Sequence, residues 1–491
     1  MSESRPSGTP LKGTHPPGMA GSYREARHRA LEAHARRPAS PEEIADLIRR
    51  LRRFNESAAI RECLNRLPPL DQISIPLLLF FAAQLGLLNQ PAEALRLLDE
   101  ARRADPDYLP TLAARGQVLT WLGGFDEAER ELVRCIQHAP ELAQPHWLLA
   151  RLRTWSADEN HVERLRAELA RPGRSAGDLA LLGCALHKEL DDLGRFDEAW
   201  EALASACAAQ RSRVDYDPQV ARMLIDRLVA LPSLAAAAEG EMTAVVPIFV
   251  VGMHRSGTTL LEQLLAGHSQ VCAMGERYDF AAQLRWAADH HCRGPLDATI
   301  VERAPGFDFA AIGRGYLESV AWRIAGKRFC VDKLPSNFLN LAFIFAALPQ
   351  ARVLHMVRDP VETCFSGLRE LFSDACPYSY NQQELADYFG LYRRLMAHWH
   401  ERFPGRILDV PYEALVGDTE DSLKRIAAHC GFAFEAPMLN PASLTRGVAT
   451  ASAVEVRGAV EPRTAARWKP YATQLQPLLK ALALQDRAAS G

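Results

Sequence analysis

The chain of 491 residues is too long for one ordinary domain. Its 48% hydrophobic and 24% charged content is that of a globular protein with room for real cores. A net charge of −3 leaves no basic excess to neutralise a nucleic-acid backbone, so no nucleic-acid partner is expected, although a local anion site remains compatible with it.

In chain order, residues 1–40 open on "MSESRPSGTPLKGTHPPGMAGSY", rich in Ser, Gly and Pro and without the apolar run of a signal peptide; a disordered lead is predicted there. The longest apolar stretches, 74–88 and 338–348, are too short to span a bilayer. Ten scattered cysteines with no C-x-x-C pair read as buried thiols of a reducing compartment. A cytoplasmic chain without membrane attachment is the resulting expectation.

Residues 41–235 are Ala- and Leu-rich, paced at helical spacing, and they repeat. "QPAEALRLLDEARRADPDY" and "GFDEAERELVRCIQHAPEL" superpose with a shift of 34 residues: Ala94 on Ala128, Leu98 on Leu132, Ala101 on Cys135 and Pro106 on Pro140. Gly116 and Leu119 supply the small and large positions of the preceding helix, and "GRFDEAWEALASACAAQ" repeats the pattern after two periods and a three-residue insertion. That period predicts an all-helical, tetratricopeptide-like solenoid, whose groove suits a peptide or protein partner. The Arg-rich "RRLRRF" (49–54) reads as the solvated face of a helix.

Residues 236–246 read as a linker, and from 247 to 485 the rhythm changes. "PIFVV", "RFCV", "ARVLHMV" and "RILDV" lack polar alternation, as strands buried on both faces do. The fold class predicted is therefore α + α/β: the solenoid, then a P-loop-type α/β domain with a central parallel sheet and its ligand at the carboxyl ends of the strands. "DHHC" (289–292) has neither membrane spans nor zinc-spaced cysteines beside it and carries no function.

The first strand feeds "GMHRSGTTLLEQLL". A glycine loop between a strand and a helix N-terminus turns backbone N–H groups toward an anion. Thr258 stands where a nucleoside-triphosphatase would have its lysine, and Arg255 is present instead; no acidic residue ends "ARVLHMV" to hold Mg²⁺, which leaves Asp332 after "RFCV" as the one alternative for that role. A group less charged than a γ-phosphate, such as sulfuryl, needs neither lysine nor metal. In "HMVRDPVETCFSGL", Asp359 and Glu362 have capping-box spacing around Pro360, so Arg358 at a strand end and Ser366 on the next helix make a second anion site.

With these motifs the domain resembles a sulfotransferase using 3′-phosphoadenosine 5′-phosphosulfate (PAPS), and is most similar to the tyrosylprotein branch and to bacterial proteins joining tetratricopeptide repeats to such a domain. The resemblance implies a 5′-phosphosulfate loop at Arg255, Ser256, Gly257, Thr258 and Thr259, and a 3′-phosphate site at Arg358 and Ser366. It implies Glu276 as catalytic base, Lys333 of "VDKLPSN" near the transferring group, and Tyr412 beside the cofactor. From "TASAVEVR…ARW" it implies Ser452 near the sulfate and Arg457 and Arg467 near the phosphates. Arg255, Lys333 and Ser452 would stabilise charge in the transfer, while His254 shapes the entrance and is not the base. One departure stands out: the family's arginine four residues after the serine is Glu370 here, with Arg369 beside it.

The resemblance implies transfer to a hydroxyl on a peptide or protein, tyrosine-like, with product PAP and no metal. A saccharide, lipid or small-metabolite acceptor is the alternative; a repeat scaffold with an inert nucleotide domain, or a Mg²⁺-dependent nucleotide kinase, are readings of a different kind.

Overall fold

The computed structural model describes residues 21–237, 244–372, 375–440 and 466–490. Among the described residues, twelve α-helices come first. They are α1 (Tyr23–Ala35), α2 (Pro41–Arg52), α3 (Ser57–Leu64), α4 (Ile75–Leu87), α5 (Pro91–Ala104) and α6 (Leu109–Leu122), then α7 (Phe125–His138), α8 (Ala143–Ala150), α9 (Val162–Leu169), α10 (Ala176–Asp192), α11 (Phe196–Arg211) and α12 (Pro218–Val229).

The 34-residue step is visible in the helix starts: Ile75, Leu109 and Ala143 for α4, α6 and α8, and Pro91 and Phe125 for α5 and α7. α9 begins at Val162, three residues later than the step would put it, where the sequence predicts an insertion. Gly116 is small for a packing reason. A Cβ there would lie 2.7 Å from Leu132 Cγ, and Leu132 is fully buried and cannot swing aside.

One boundary needs correction. α1 lies inside the stretch predicted to be a disordered lead. Its sequence is polar, but Ser22 caps it by accepting from Glu25 N, and Arg24 donates to the carbonyls of Trp286 and Ala287 far along the chain. Tertiary contacts, which composition does not reveal, order this helix.

The second half holds a five-stranded, all-parallel sheet: β1 (Val246–Gly252), β2 (Val271–Ala273), β3 (Phe329–Asp332), β4 (Arg352–Val357) and β5 (Ile407–Pro411), in the order β2-β3-β1-β4-β5. Four strands coincide with the apolar runs; β2, three residues long, has no such run and was not predicted. Ile248 and Val250 of β1 pack into one apolar cluster, Phe249 and Val251 into the other, so both faces are covered. From β1 the chain goes to one side for β2 and β3, then crosses to the other for β4 and β5. That reversal opens a crevice at the carboxyl end of β1.

The covering helices are α13 (Thr258–Ala266), α14 (Asp279–Ala288), α15 (Ala298–Arg303), α16 (Phe309–Ile324) and α17 (Leu341–Ala347), followed by α18 (Pro360–Leu368), α19 (Gln382–Arg402), α20 (Tyr412–Gly417), α21 (Thr419–Cys430) and α22 (Gln476–Ser490). A single apolar cluster runs from Ala143 and Leu203 in the helical region through Phe249 and Tyr316 to Tyr471 and Leu482, so the two halves share a core. No helix among the described residues is long and apolar enough to cross a membrane.

The repeat packing gives a direct test. Gly116→Val forces two methyl groups against Leu132 and should lower stability by about 1–3 kcal/mol. Urea denaturation followed by circular dichroism measures it, and an unchanged midpoint would refute the tight α6–α7 contact.

Candidate functional site

The crevice at the end of β1 is built from three parts. The first is the turn 252–259. Gly252 (φ +151°), Arg255 (φ +72°) and Gly257 (φ +106°) all adopt positive φ. Side chains would not fit at either glycine: a Cβ on Gly252 would meet Met356 O at 2.8 Å, and one on Gly257 would meet Tyr412 Cδ2 at 2.5 Å. Gly257 sits at the N-cap of α13 without a side-chain cap, so the helix's first N–H groups are left for another acceptor. Ser256 Oγ, buried within the turn, has no hydrogen-bond partner among the described residues. An orphan hydroxyl beside an uncapped helix start fits a bound phosphate-type anion. Ser256, Thr258 and Thr259 are all buried around it.

The second part is the arginine cluster. Arg255 Nε donates to Ser366 Oγ at 3.1 Å, and Arg358 Nη1 donates to the carbonyl of Arg255 at 3.1 Å. The Arg358 guanidinium lies over the Tyr412 ring, 4.4 Å from its centroid, which fixes its plane. The two anion sites that look separate in the sequence thus meet through Arg255. Asp359 caps α18 by accepting from Glu362 N, but the capping box is not closed, because Asp359 N turns to Glu413 Oε1 instead (3.4 Å).

The third part stands on two neighbouring strand ends. Lys333 follows β3 and Glu276 follows β2; Lys333 N donates to Gly275 O at 3.1 Å, and Lys333 Nζ lies 2.6 Å from Glu276 Oε1. Lys333 has no exposed surface, whereas the Glu276 side chain is 38% exposed, so the carboxylate is the member of the pair open to the surface. Desolvation raises the Glu276 pKa, but the charge and hydrogen bond of Lys333 outweigh it, and the carboxyl is held below the usual glutamate value. It is therefore a carboxylate, able to accept a proton, at neutral pH. His254 is different: burial pulls its pKa down to about 4, leaving a neutral ring packed 5.6 Å from Phe372.

One residue of the site escaped the sequence reading. Glu262, buried on α13, accepts from Gly275 N at 2.6 Å and so holds the turn that presents Glu276. The signal available was an acid inside the leucine-lined "TTLLEQLL". The Glu370 departure also resolves. Glu370 is buried in an ion pair with Arg151 of the helical region (3.0 Å), with Arg255 Nη1 at 3.8 Å. Arg369 points the other way, to Asp191 (2.5 Å) and His187 (2.8 Å), so it does not replace the missing arginine. Arg467 is exposed and lines a cavity of about 370 Å³ together with Arg255, Ser366 and Arg151. Ser452 and Arg457 lie outside the described residues.

Among the described residues, His355, His400 and Asp409 have possible metal-ligating atoms within 4.8 Å of one another. Both imidazoles already bond Asp409 Oδ1, at 2.7 and 2.9 Å, which accounts for the grouping without an ion.

A parallel sheet carries a glycine turn at its switch point, with a carboxylate–lysine pair beside it. Residues 247–436 match the Sulfotransferase family model. An uncharacterized protein of Aquifex aeolicus (strain VF5) is 27% identical over 409 residues, covering 80% of this chain and 53% of that protein. A putative protein-tyrosine sulfotransferase of Caenorhabditis briggsae is 26% identical over 194 residues, 39% of this chain and 68% of that protein. Among solved structures, the sulfotransferase domain from the Synechococcus PCC 7002 olefin synthase aligns with 53% of this chain and 97% of its own, at 22% identity and a TM-score of 0.36. The chain spans about half the length of the A. aeolicus relative.

The ion pair sets a pH expectation. Because the folded pKa of Glu276 is depressed, its contribution to stability is present above the ordinary glutamate value and is lost as pH falls through the folded one. Lys333→Met removes the counter-charge and leaves the desolvation, so the Glu276 titration should move upward. Carboxyl ¹³C NMR reads this directly; an unmoved titration would show that the pair does not set it.

Proposed function

We propose that the chain transfers a sulfuryl group from PAPS to an acceptor hydroxyl, and that the acceptor is a tyrosine-like hydroxyl on a peptide or protein. The observation that carries this reading is the Glu276–Lys333 pair beside an uncapped, glycine-turned helix start. A carboxylate kept ionised at neutral pH suits the removal of a proton from a hydroxyl nucleophile. The acceptor class leans on the C. briggsae relative's name and on the repeated helix pairs of the N-terminal half.

The nucleotide supplies the sulfuryl group, whose bond to the 5′-phosphate oxygen breaks as the acceptor oxygen bonds sulfur from the opposite side. The residues of the chain divide the remaining work. Glu276 takes the acceptor's proton. Lys333 keeps that carboxylate charged and, with Arg255 and the N–H groups at Gly257, Thr258 and Thr259, offers positive potential to the departing phosphate oxygen. Arg358, Ser366 and Tyr412 hold the distal end of the nucleotide, with Arg467 at the rim, and this binding positions the reacting end.

Calorimetric titration with PAP and ATP, without added metal, tests the donor. PAP should bind more tightly than ATP, and Arg358→Ala should weaken PAP by about tenfold or more, the effect of losing a charge-assisted contact. Preferred ATP binding that requires Mg²⁺ would overturn the assignment. Glu276→Gln should abolish transfer to a tyrosine peptide while leaving PAP affinity unchanged; a scaffold with an inert nucleotide domain would show no transfer even in the unaltered chain.

A further inference from the structure

One cluster of metal-ligating side chains stands apart from the groups given work in the transfer. His355 on β4 and Asp409 on β5 are direct partners in the parallel register, so their side chains leave the sheet on the same face. α19 packs over them and brings Tyr392 and, two turns later, His400. His355 Nδ1 and His400 Nε2 both lie against Asp409 Oδ1, at 2.7 and 2.9 Å. Three elements thus converge two imidazole nitrogens and a carboxylate oxygen, all within 4.8 Å of one another.

Hydrogen bonds hold this trio when no ion is bound, and each runs through an atom that can also ligate a metal. A tetrahedral zinc ion with bonds of about 2.0–2.2 Å keeps neighbouring ligand atoms roughly 3.3–3.5 Å apart, so the trio needs to open by about half an ångström. Its outer members are free to make that adjustment: the Asp409 side chain is 50% exposed and that of His400 36%. His355 is the buried member, and it is also the anchored one. Its far nitrogen, Nε2, hydrogen-bonds the buried Tyr392 hydroxyl. A histidine that ligates through one nitrogen carries its proton on the other and needs a partner to receive it; the tyrosine oxygen stands in that place.

The space in front of the trio supplies a second, independent observation. All three residues line a cavity of about 390 Å³, roomy enough for the waters that complete a coordination shell. Its wall includes the buried Thr363, whose hydroxyl has no hydrogen-bond partner among the described residues. A buried hydroxyl left in that state calls for a water or an ion's hydration shell. The charges of the wall select the kind of ion. Arg358 and Arg393 line the same cavity, and Asp409 is the only carboxylate among its lining residues. Calcium and magnesium rely on oxygen ligands and carboxylate charge, which this wall does not offer. Neutral imidazoles bind zinc-type ions without it.

The geometry points to a binding site for a zinc-type divalent ion, held by His355 Nδ1, His400 Nε2 and Asp409, with water in the remaining position. None of these residues takes part in the proposed transfer, and the site stands whether or not that reading does. Its place in the fold gives it a task. β5 is the edge strand of the sheet, and the ion would tie it, with β4, to α19. The same cavity wall carries Ser256 and Arg358, so the clamp lies directly behind the glycine turn.

The test is calorimetric titration of the full chain, stripped with a chelator, with Zn²⁺ alone. One tight equivalent should bind. Co²⁺ in its place should give a visible spectrum of nitrogen and oxygen ligation, without the thiolate charge-transfer band that any of the ten cysteines would produce. His400→Ala, Asp409→Asn and Tyr392→Phe should each weaken Zn²⁺ binding by about tenfold or more, with unchanged circular dichroism as the check on folding. His138→Ala, at the surface pair with Asp107, should change nothing. No stoichiometric binding, a thiolate spectrum, or undiminished affinity in His400→Ala and Asp409→Asn would overturn the site. Undiminished affinity in Tyr392→Phe alone would overturn the anchoring of His355.

Discussion

An ammonium group with no exposed surface has to find a counter-charge, and at the end of β3 the group that answers Lys333 is Glu276. Much of the site follows from that pairing. It requires β2 and β3 to end side by side, which the parallel register from Val271↔Phe329 to Ala273↔Val331 supplies. It requires the turn after β2 to be held, and Glu262 holds it from the first helix after the glycine loop. The loop, the carboxylate and the lysine are thus one mechanical unit, in which moving α13 would move both the glycine turn and the Glu276 carboxylate. The charges of this unit are set in place during folding and need no rearrangement to face one another.

The helical half does more than sit beside this unit. Its Arg151 neutralises Glu370, the acid that stands where the resembling family has an arginine, so a substitution unfavourable to an anion is compensated across the junction. Asp191 does the reverse for Arg369, taking it away from the site and, with Tyr471 at 2.5 Å, tying the C-terminal segment to the helical region. Charge at the crevice is therefore set by both halves.

The fold was largely legible in the sequence because its two periods are strong. The 34-residue step fixed five helix starts, and the unbroken apolar runs located β1, β3, β4 and β5. What escaped were short or tertiary features. β2 is three residues long and has no periodicity to read, and α1 is ordered by Asp289 and the Trp286 and Ala287 carbonyls rather than by its own composition. At the site, residue identities were readable from motif spacing, but not their contacts. Nothing in the spacing of Arg255 and Ser366 says that they hydrogen-bond, and nothing in "ARLRTW" says that Arg151 reaches Glu370, 219 positions away. Glu262 was hidden because an acid on a leucine helix is ordinarily solvent-facing.

The shared core also has a history during synthesis. Leu182, Leu186, Leu203 and Ile225 belong to the same apolar cluster as Phe249, Phe338 and Trp399, which leave the ribosome later. At synthesis rates of about 5–20 residues per second, the finished helical half waits roughly ten seconds or more for the sheet that covers this face. During that interval the nascent chain carries a sticky flank with nothing of its own to put on it, and a chaperone or a neighbouring chain can reach it first. The junction that gives the mature protein a two-walled cleft thus leaves an apolar face uncovered in the half-made chain.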